Sequence, residues 1–140
     1  MRFMIIVKAT PDSEAGKFPE AEEKEKMMAA MAAYHEELAK AGALLDGAGL
    51  QPSAKGWRIR YDGSQRKVID GPFAETKELI AGYTIIQVRS REEALEWTRR
   101  FPNPVAEGAA CEIEVRQLYE IDDLGPSEEI AGRFRDIGMA

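Results

Sequence analysis

Glu20–Gly42, EAEEKEKMMAAMAAYHEELAKAG, is the stretch whose reading decides the fold. Met27, Met31, Tyr34, Leu38 and Ala41 recur at steps of four and three, a narrow apolar stripe along one side of a helix. Glu20, Glu22 and Glu23 stand at its positive N-terminal end and Lys40 near its C-terminal end, as the helix dipole favours. Gly42 supplies the left-handed residue that stops it. The spacing predicts a helix over Glu20–Ala41, roughly 33 Å long at 1.5 Å per residue, enough to cross a domain.

The flanking segments read as strands. Arg2–Ala9 is short, apolar and partly β-branched, and Thr10-Pro11-Asp12 ends it. Phe3, Ile5 and Val7 share one face; Met4, Ile6 and Lys8 share the other. Pro11–Pro19 reads as a polar loop. Beyond the helix, Ala43–Gln51 is a strand weakened by Gly47 and Gly49. Trp57–Tyr61 and Arg66–Asp70 are joined by Asp62-Gly63-Ser64-Gln65, a strong hairpin signal. Gly82–Val88 is a further strand. Ser90 caps a helix over Arg91–Phe101, with Ala94, Trp97, Thr98 and Phe101 as its packing face, and Pro102 and Pro104 end it. Cys111–Tyr119 alternates as a last strand. In the tail, Ile130, Phe134 and Ile137 stand at helical spacing.

The order is β, long α, β, hairpin, β, α, β. With the inserted β-hairpin set aside, this is the split βαβ pattern of a ferredoxin-like α+β fold. Such a sheet carries both helices on one face. Its other face needs a cover, and a second copy of the chain is the expected one, giving a homodimer.

Length and composition narrow the function classes. The 140 residues, 44% hydrophobic and 31% charged, suit one soluble globular domain. A net charge of −6 disfavours nucleic acid and anionic membranes as partners. Single residues Cys111 and His35 exclude an intrachain disulfide, a thiolate zinc site and a His-based metal triad. The carboxylates that remain suit Mg or Ca better than a transition metal, so no metal or other cofactor is expected. The apolar run Phe3–Val7 is too short for a signal-peptide core or a membrane span, which leaves a cytoplasmic enzyme or binding protein. Phosphate-binding glycine loops, GxSxG and HExxH are absent.

Asp70–Glu78 reads DGPFAETKE. This nine-residue stretch resembles the signature of the YCII-related family, in the branch marked by its DGPF motif. MIIVKAT in the first strand, EELAKAG at the end of the long helix, GAGLQPS at Gly47–Ser53, GYTIIQV and EEALEW support the resemblance. It covers residues 1–119 and leaves 120–140 as a C-terminal extension with a short amphipathic segment. The resemblance implies a dimeric α/β-barrel built from two ferredoxin-like halves. For the wider family it implies a cleft in which a His–Asp pair acts.

The candidate catalytic residues are Asp70, Glu75, Lys77 and His35. Asp70 ends a strand, where it can serve as a general acid or base, or can simply bond the backbone of the Gly-Pro turn. Glu75 and Lys77 share a side if residues 73–78 are extended, so they can orient a small polar substrate or form a surface ion pair worth about 0–1 kcal/mol. His35 lies roughly 80° from the centre of the helical stripe. That position suits a hydrogen-bonded boundary residue as well as a catalyst. Glu112, Glu114 and Arg116 share a face of the last strand with Lys8 nearby, fitting an intersubunit ion-pair network or a lined cavity. Trp57, Trp97, Met27, Met28 and Met31 read as packing residues, Phe73 as an anchor for its loop and Cys111 as a small buried apolar residue.

Three functions fit. The first is a cofactor-free acid/base enzyme acting on a small molecule near the dimer interface, with Asp70, Glu75 and Lys77 lining one concavity. The second is a noncatalytic dimer that binds a small ligand or regulates; the resemblance favours it where relatives lie beside sigma-factor-like proteins. The third is a structural interaction protein.

Overall fold

The Glu20–Gly42 reading sets the scale of the molecule. The computed structural model describes residues 1–140. Strands are β1 (Arg2–Lys8), β2 (Leu44–Gly49), β3 (Trp57–Asp62), β4 (Gln65–Asp70), β5 (Ile80–Gln87) and β6 (Ile113–Gln117). Helices are α1 (Pro11–Glu14), α2 (Ala21–Lys40), α3 (Arg91–Arg99) and α4 (Glu128–Asp136). Short 3₁₀ turns occupy Ser53–Lys55, Thr76–Glu78 and Ile121–Leu124.

Four strands form one sheet in the order β2-β5-β1-β6, and each neighbouring pair is antiparallel. Strands β3 and β4 form a separate two-stranded sheet, paired from Trp57↔Asp70 to Asp62↔Gln65. Gly63 closes that hairpin with φ +60°, a conformation other residues adopt only at a cost. The architecture is a mixed α+β fold with an antiparallel sheet, consistent with the ferredoxin-like pattern, and the hairpin falls between β2 and β5.

Alternation in β1 and β5 decides which face meets the helices. Phe3 and Ile5 of β1 and Ile86 of β5 are buried with Tyr34 and Leu38 of α2 and Ala94 and Trp97 of α3. Ile5, Leu38 and Ile86 are the largest fully buried side chains. Each contributes about 1.5–3 kcal/mol through burial alone. Tyr34 is the polar tie within this core: its hydroxyl donates to the Trp97 carbonyl at 2.7 Å. Its ring meets Trp97 and Phe101 edge-on at 6.1 and 5.2 Å. The α3 N-terminus is held by Ser90, whose Oγ accepts from the Glu93 N–H at 3.1 Å.

On the opposite face Met4, Ile6, Tyr83 and Ile85 are half-buried. The charged residues of this face pair within the chain. Lys8 lies 3.5 Å from Glu114, and Arg116 lies 3.3 Å from it. The Arg116 hydrogen bond and then the Lys8 charge hold the Glu114 carboxyl below the usual carboxylate range. Glu112 stands outside β6.

Several local expectations change. Pro11–Glu14 is helical where a loop was expected, because Thr10 and Ser13 form a reciprocal capping box and Pro11 begins the turn. Strand β6 is shorter than Cys111–Tyr119 at both ends. Cys111 is exposed beside Asn103 and belongs to no core. Met28 and Trp57 are exposed, not packed; α2 outruns the core at its N-terminal half, and Trp57 sits on the outlying hairpin. Residues 73–78 are not extended: the 3₁₀ turn Thr76–Glu78 breaks the alternation that would have set Glu75 and Lys77 side by side. No helix is long and apolar enough to cross a membrane.

Candidate functional site

The concavity next to the Asp70–Glu78 segment is built by three short pieces that are distant in sequence. Its first piece is α1, which ends in Glu14. The second is the turn Ser53–Lys55, opened by Pro52. The third is the chain leaving β4 through Gly71-Pro72-Phe73, with a cis peptide at Gly71-Pro72. Together with Leu50, Leu79 and Ile80 they enclose about 340 Å³.

Ser53 sits at the junction. Its backbone N–H donates to Glu14 Oε1 at 3.0 Å, and its hydroxyl donates to Glu14 Oε2. The same hydroxyl oxygen accepts from the Phe73 N–H at 3.0 Å. The Gly71 N–H donates to the Gly56 carbonyl at 3.0 Å. Gly71 is glycine for lack of room: an added Cβ would lie 1.9 Å from the Ser53 carbonyl oxygen. The Arg58 guanidinium lies 3.8 Å from the centre of the Phe73 ring, tying the foot of the hairpin to the turn. Phe73 thus anchors its loop, in line with its apolar character.

The charged lining is mixed. Glu14 and Glu78 supply carboxylates and Lys55 an ammonium, against an apolar wall of Leu50, Phe73, Leu79 and Ile80. A pocket of this kind can hold a small amphipathic molecule, with its polar end at Glu14, Ser53 and Lys55.

The residues singled out from sequence are distributed differently. Asp70, Glu75 and Lys77 are all exposed, and none lines this concavity. Lys77 adjoins the lining Glu78, while Asp70 and Glu75 stand three and two residues from the lining Phe73. His35 is elsewhere, between α2 and β5. Its Nδ1 lies 2.7 Å from the Met31 carbonyl and its Nε2 lies 2.8 Å from Thr84 Oγ1. A carbonyl only accepts, so Nδ1 donates to Met31, and Nε2 shares a hydrogen bond with the Thr84 hydroxyl. Thr84 is the buried polar side chain of the core, and His35 satisfies it.

Glu14 and Ser53 were not legible as site residues. Ser53 ends the GAGLQPS segment that resembles the family pattern, which is the one signal that could have pointed to it. Glu14 lies in a stretch whose charged residues read as an ordinary polar loop. No cluster of three or more His, Cys, Asp or Glu side chains has metal-binding geometry.

Comparison with known proteins adds the following. A model of the YCII-related domain matches residues 1–119. An uncharacterised protein of Rhizobium meliloti (strain 1021) is 33% identical over 103 residues, 74% of this chain and 83% of that protein. Among solved structures, the chain is similar to the 5-chloro-2-hydroxyhydroquinone dehydrochlorinase of Burkholderia phenoliruptrix AC1100 in complex with 2,5-dihydroxybenzoquinone. That similarity has a TM-score of 0.43 and 16% identity over 88% of this chain and 98% of that one.

Proposed function

Because the chain belongs to the YCII-related family, we propose that it acts on a small organic anion, without a cofactor, in the concavity beside the Asp70–Glu78 segment. The observation that carries this reading is the chain of bonds Phe73 N–H to Ser53 Oγ to Glu14, set against an apolar wall with Lys55 beside it. Glu14 is the proposed proton acceptor. An incoming hydroxyl or amine takes the place of the Ser53 hydroxyl on the carboxylate and passes its proton there. Lys55 attracts the anionic end, and the Phe73 N–H keeps Ser53 in place by its bond to Oγ. Asp70, Glu75 and Lys77 are proposed rim residues that select the ligand as it enters. His35 is proposed to act at a distance, by holding Thr84 and with it β5. The functional unit in this reading is a homodimer, an α/β-barrel in which two sheets pack face to face, since both long helices cover the same face of each sheet. It belongs to the branch with the DGPF motif.

A noncatalytic ligand-binding protein is the second reading. It is favoured by the fact that both oxygens of Glu14 are engaged by Ser53, a pattern that also suits a carboxylate holding two loops together.

Thermal unfolding with benzoate and a set of short hydroxy acids tests both. A ligand at ten times its Kd adds about 1.4 kcal/mol of stability, which raises Tm by about 5 °C in a chain of this size. Lys55→Gln and Glu14→Gln are expected to abolish that rise. NMR of the same mixtures reports turnover; binding without turnover selects the second reading. A rise that survives both substitutions places the ligand elsewhere and ends the proposal.

A further inference from the structure

The β3–β4 hairpin presents an exposed, largely apolar face, bordered by Asp70 and by Arg66, whose guanidinium lies 4.9 Å from the centre of the Tyr61 ring. Trp57, Ile59, Tyr61 and Val68 share that face, since Ile59 pairs with Val68 across the two strands. Trp57, Tyr61 and Val68 are 64%, 66% and 65% exposed. An isolated two-stranded hairpin is marginal in water at best, so a partner that covers this face would stabilise it.

A second uncovered apolar face lies on α4, in the C-terminal extension. Ile130, Phe134 and Ile137 form its stripe and, with Arg133, line a concavity of about 410 Å³. The segments that carry the two faces are opposite in net charge. Residues 57–70 carry four basic and two acidic side chains, net +2, in a chain of net −6. Residues 120–140 carry six acidic and two basic, net −4. Arg133, within the α4 stripe, matches the exposed ring of Trp57, on which a guanidinium stacks well, as Arg66 of the same hairpin does on Tyr61.

We propose that the occupant of each face is a second copy of this chain: the hairpin of one protomer docks on α4 of the other. Two-fold symmetry makes the contact twice, with each hairpin on the opposite α4. At these exposures each large apolar side chain leaves on the order of 100 Å² to bury. Seven such side chains in each of two contacts therefore reach about 1,400 Å², within the about 1,200–2,000 Å² of a stable interface. The inference goes beyond the homodimer already proposed: it assigns a place in the assembly to the hairpin and to the extension, neither of which that dimer requires.

Light scattering on the full chain at micromolar concentration reads the assembly, expected at twice 15.6 kDa. Val68→Glu and Phe134→Glu, each made singly, are expected to weaken self-association at least tenfold, with far-UV circular dichroism unchanged. A dimer that both variants leave intact overturns the docking while leaving the proposed sheet-to-sheet dimer standing. A second measurement does not depend on the glutamates folding well. In a Cys111→Ser background, a Val68→Cys chain mixed with a Phe134→Cys chain is expected to form a disulfide-linked heterodimer on mild oxidation. Absence of that product, when each thiol alone reacts freely with a maleimide, refutes the contact.

Discussion

Gly71→Ala is expected to lower stability by about 3 kcal/mol, the upper part of the range for overpacking. An alanine Cβ there would stand 1.9 Å from the Ser53 carbonyl oxygen and 2.7 Å from its carbon. Both are backbone atoms, so no flexible side chain can move aside. The chain must instead separate the turn after β4 from the Ser53–Lys55 turn, which strips Ser53 Oγ of the Phe73 N–H and the Gly56 carbonyl of the Gly71 N–H. In urea the midpoint should fall by about 1–2 M at an ordinary slope. Hydrogen exchange should show the Phe73 amide losing its protection. Gly132→Ala is the control. Its Cβ would meet nothing within 4 Å, and inside α4 the change should add about 0.5–1 kcal/mol through chain entropy. If Gly71→Ala leaves both the urea midpoint and the Phe73 protection unchanged, the close approach described here is wrong.

What was legible in the sequence divides along a physical line. Periodic burial could be read. The Tyr34–Leu38 stripe, the alternation Phe3–Ile5 and the Gly63 turn each follow from a repeat or a local backbone demand, and they placed the helices, central strands and hairpin. What depended on the limits of the core could not be read. Trp57 and Met28 have the apolarity of packing residues, but they lie where the hairpin and the first turns of α2 extend past the sheet. Apolarity alone does not say how far the core reaches. The site was harder still, because Glu14, Ser53 and Phe73 converge only through tertiary contact and share no spacing. The DGPF stretch borders this concavity through its backbone more than through its charged groups. Its glycine allows two backbones to touch and its Phe73 N–H holds Ser53, whereas Asp70, Glu75 and Lys77 are exposed away from the concavity. A motif that looks chemical can be informative through its least reactive members.

The core makes a sharper demand at Tyr34. Tyr34→Ala is expected to cost about 3–5 kcal/mol, as for other large aromatics removed from a core, because the ring is buried between Trp97, Phe101 and His35. Tyr34→Phe keeps the ring and removes only the hydroxyl. The Trp97 carbonyl it leaves still accepts from the Arg100 N–H at 3.2 Å, so the cost near neutral pH should be about 1 kcal/mol. The two proteins should then differ in how they respond to alkali. Burial pushes the Tyr34 hydroxyl up to about 12, with the Arg100 charge pulling against it, while an unfolded tyrosine titrates near 10. The folded state therefore binds the proton more tightly than the unfolded state. The stability linked to this group is whole below about pH 10 and drains away as pH rises towards 12. Tyr34→Phe has no such proton to lose. The remaining tyrosines are the same in both proteins, so they cancel in the difference. Urea melts at pH 8 should show the parent chain more stable by about 1 kcal/mol, and melts at successively higher pH should show that gap closing. A gap that stays constant through pH 11.5 would mean that Tyr34 titrates as an exposed phenol, and that the packing of α2 against α3 is looser than its bonds and ring contacts imply.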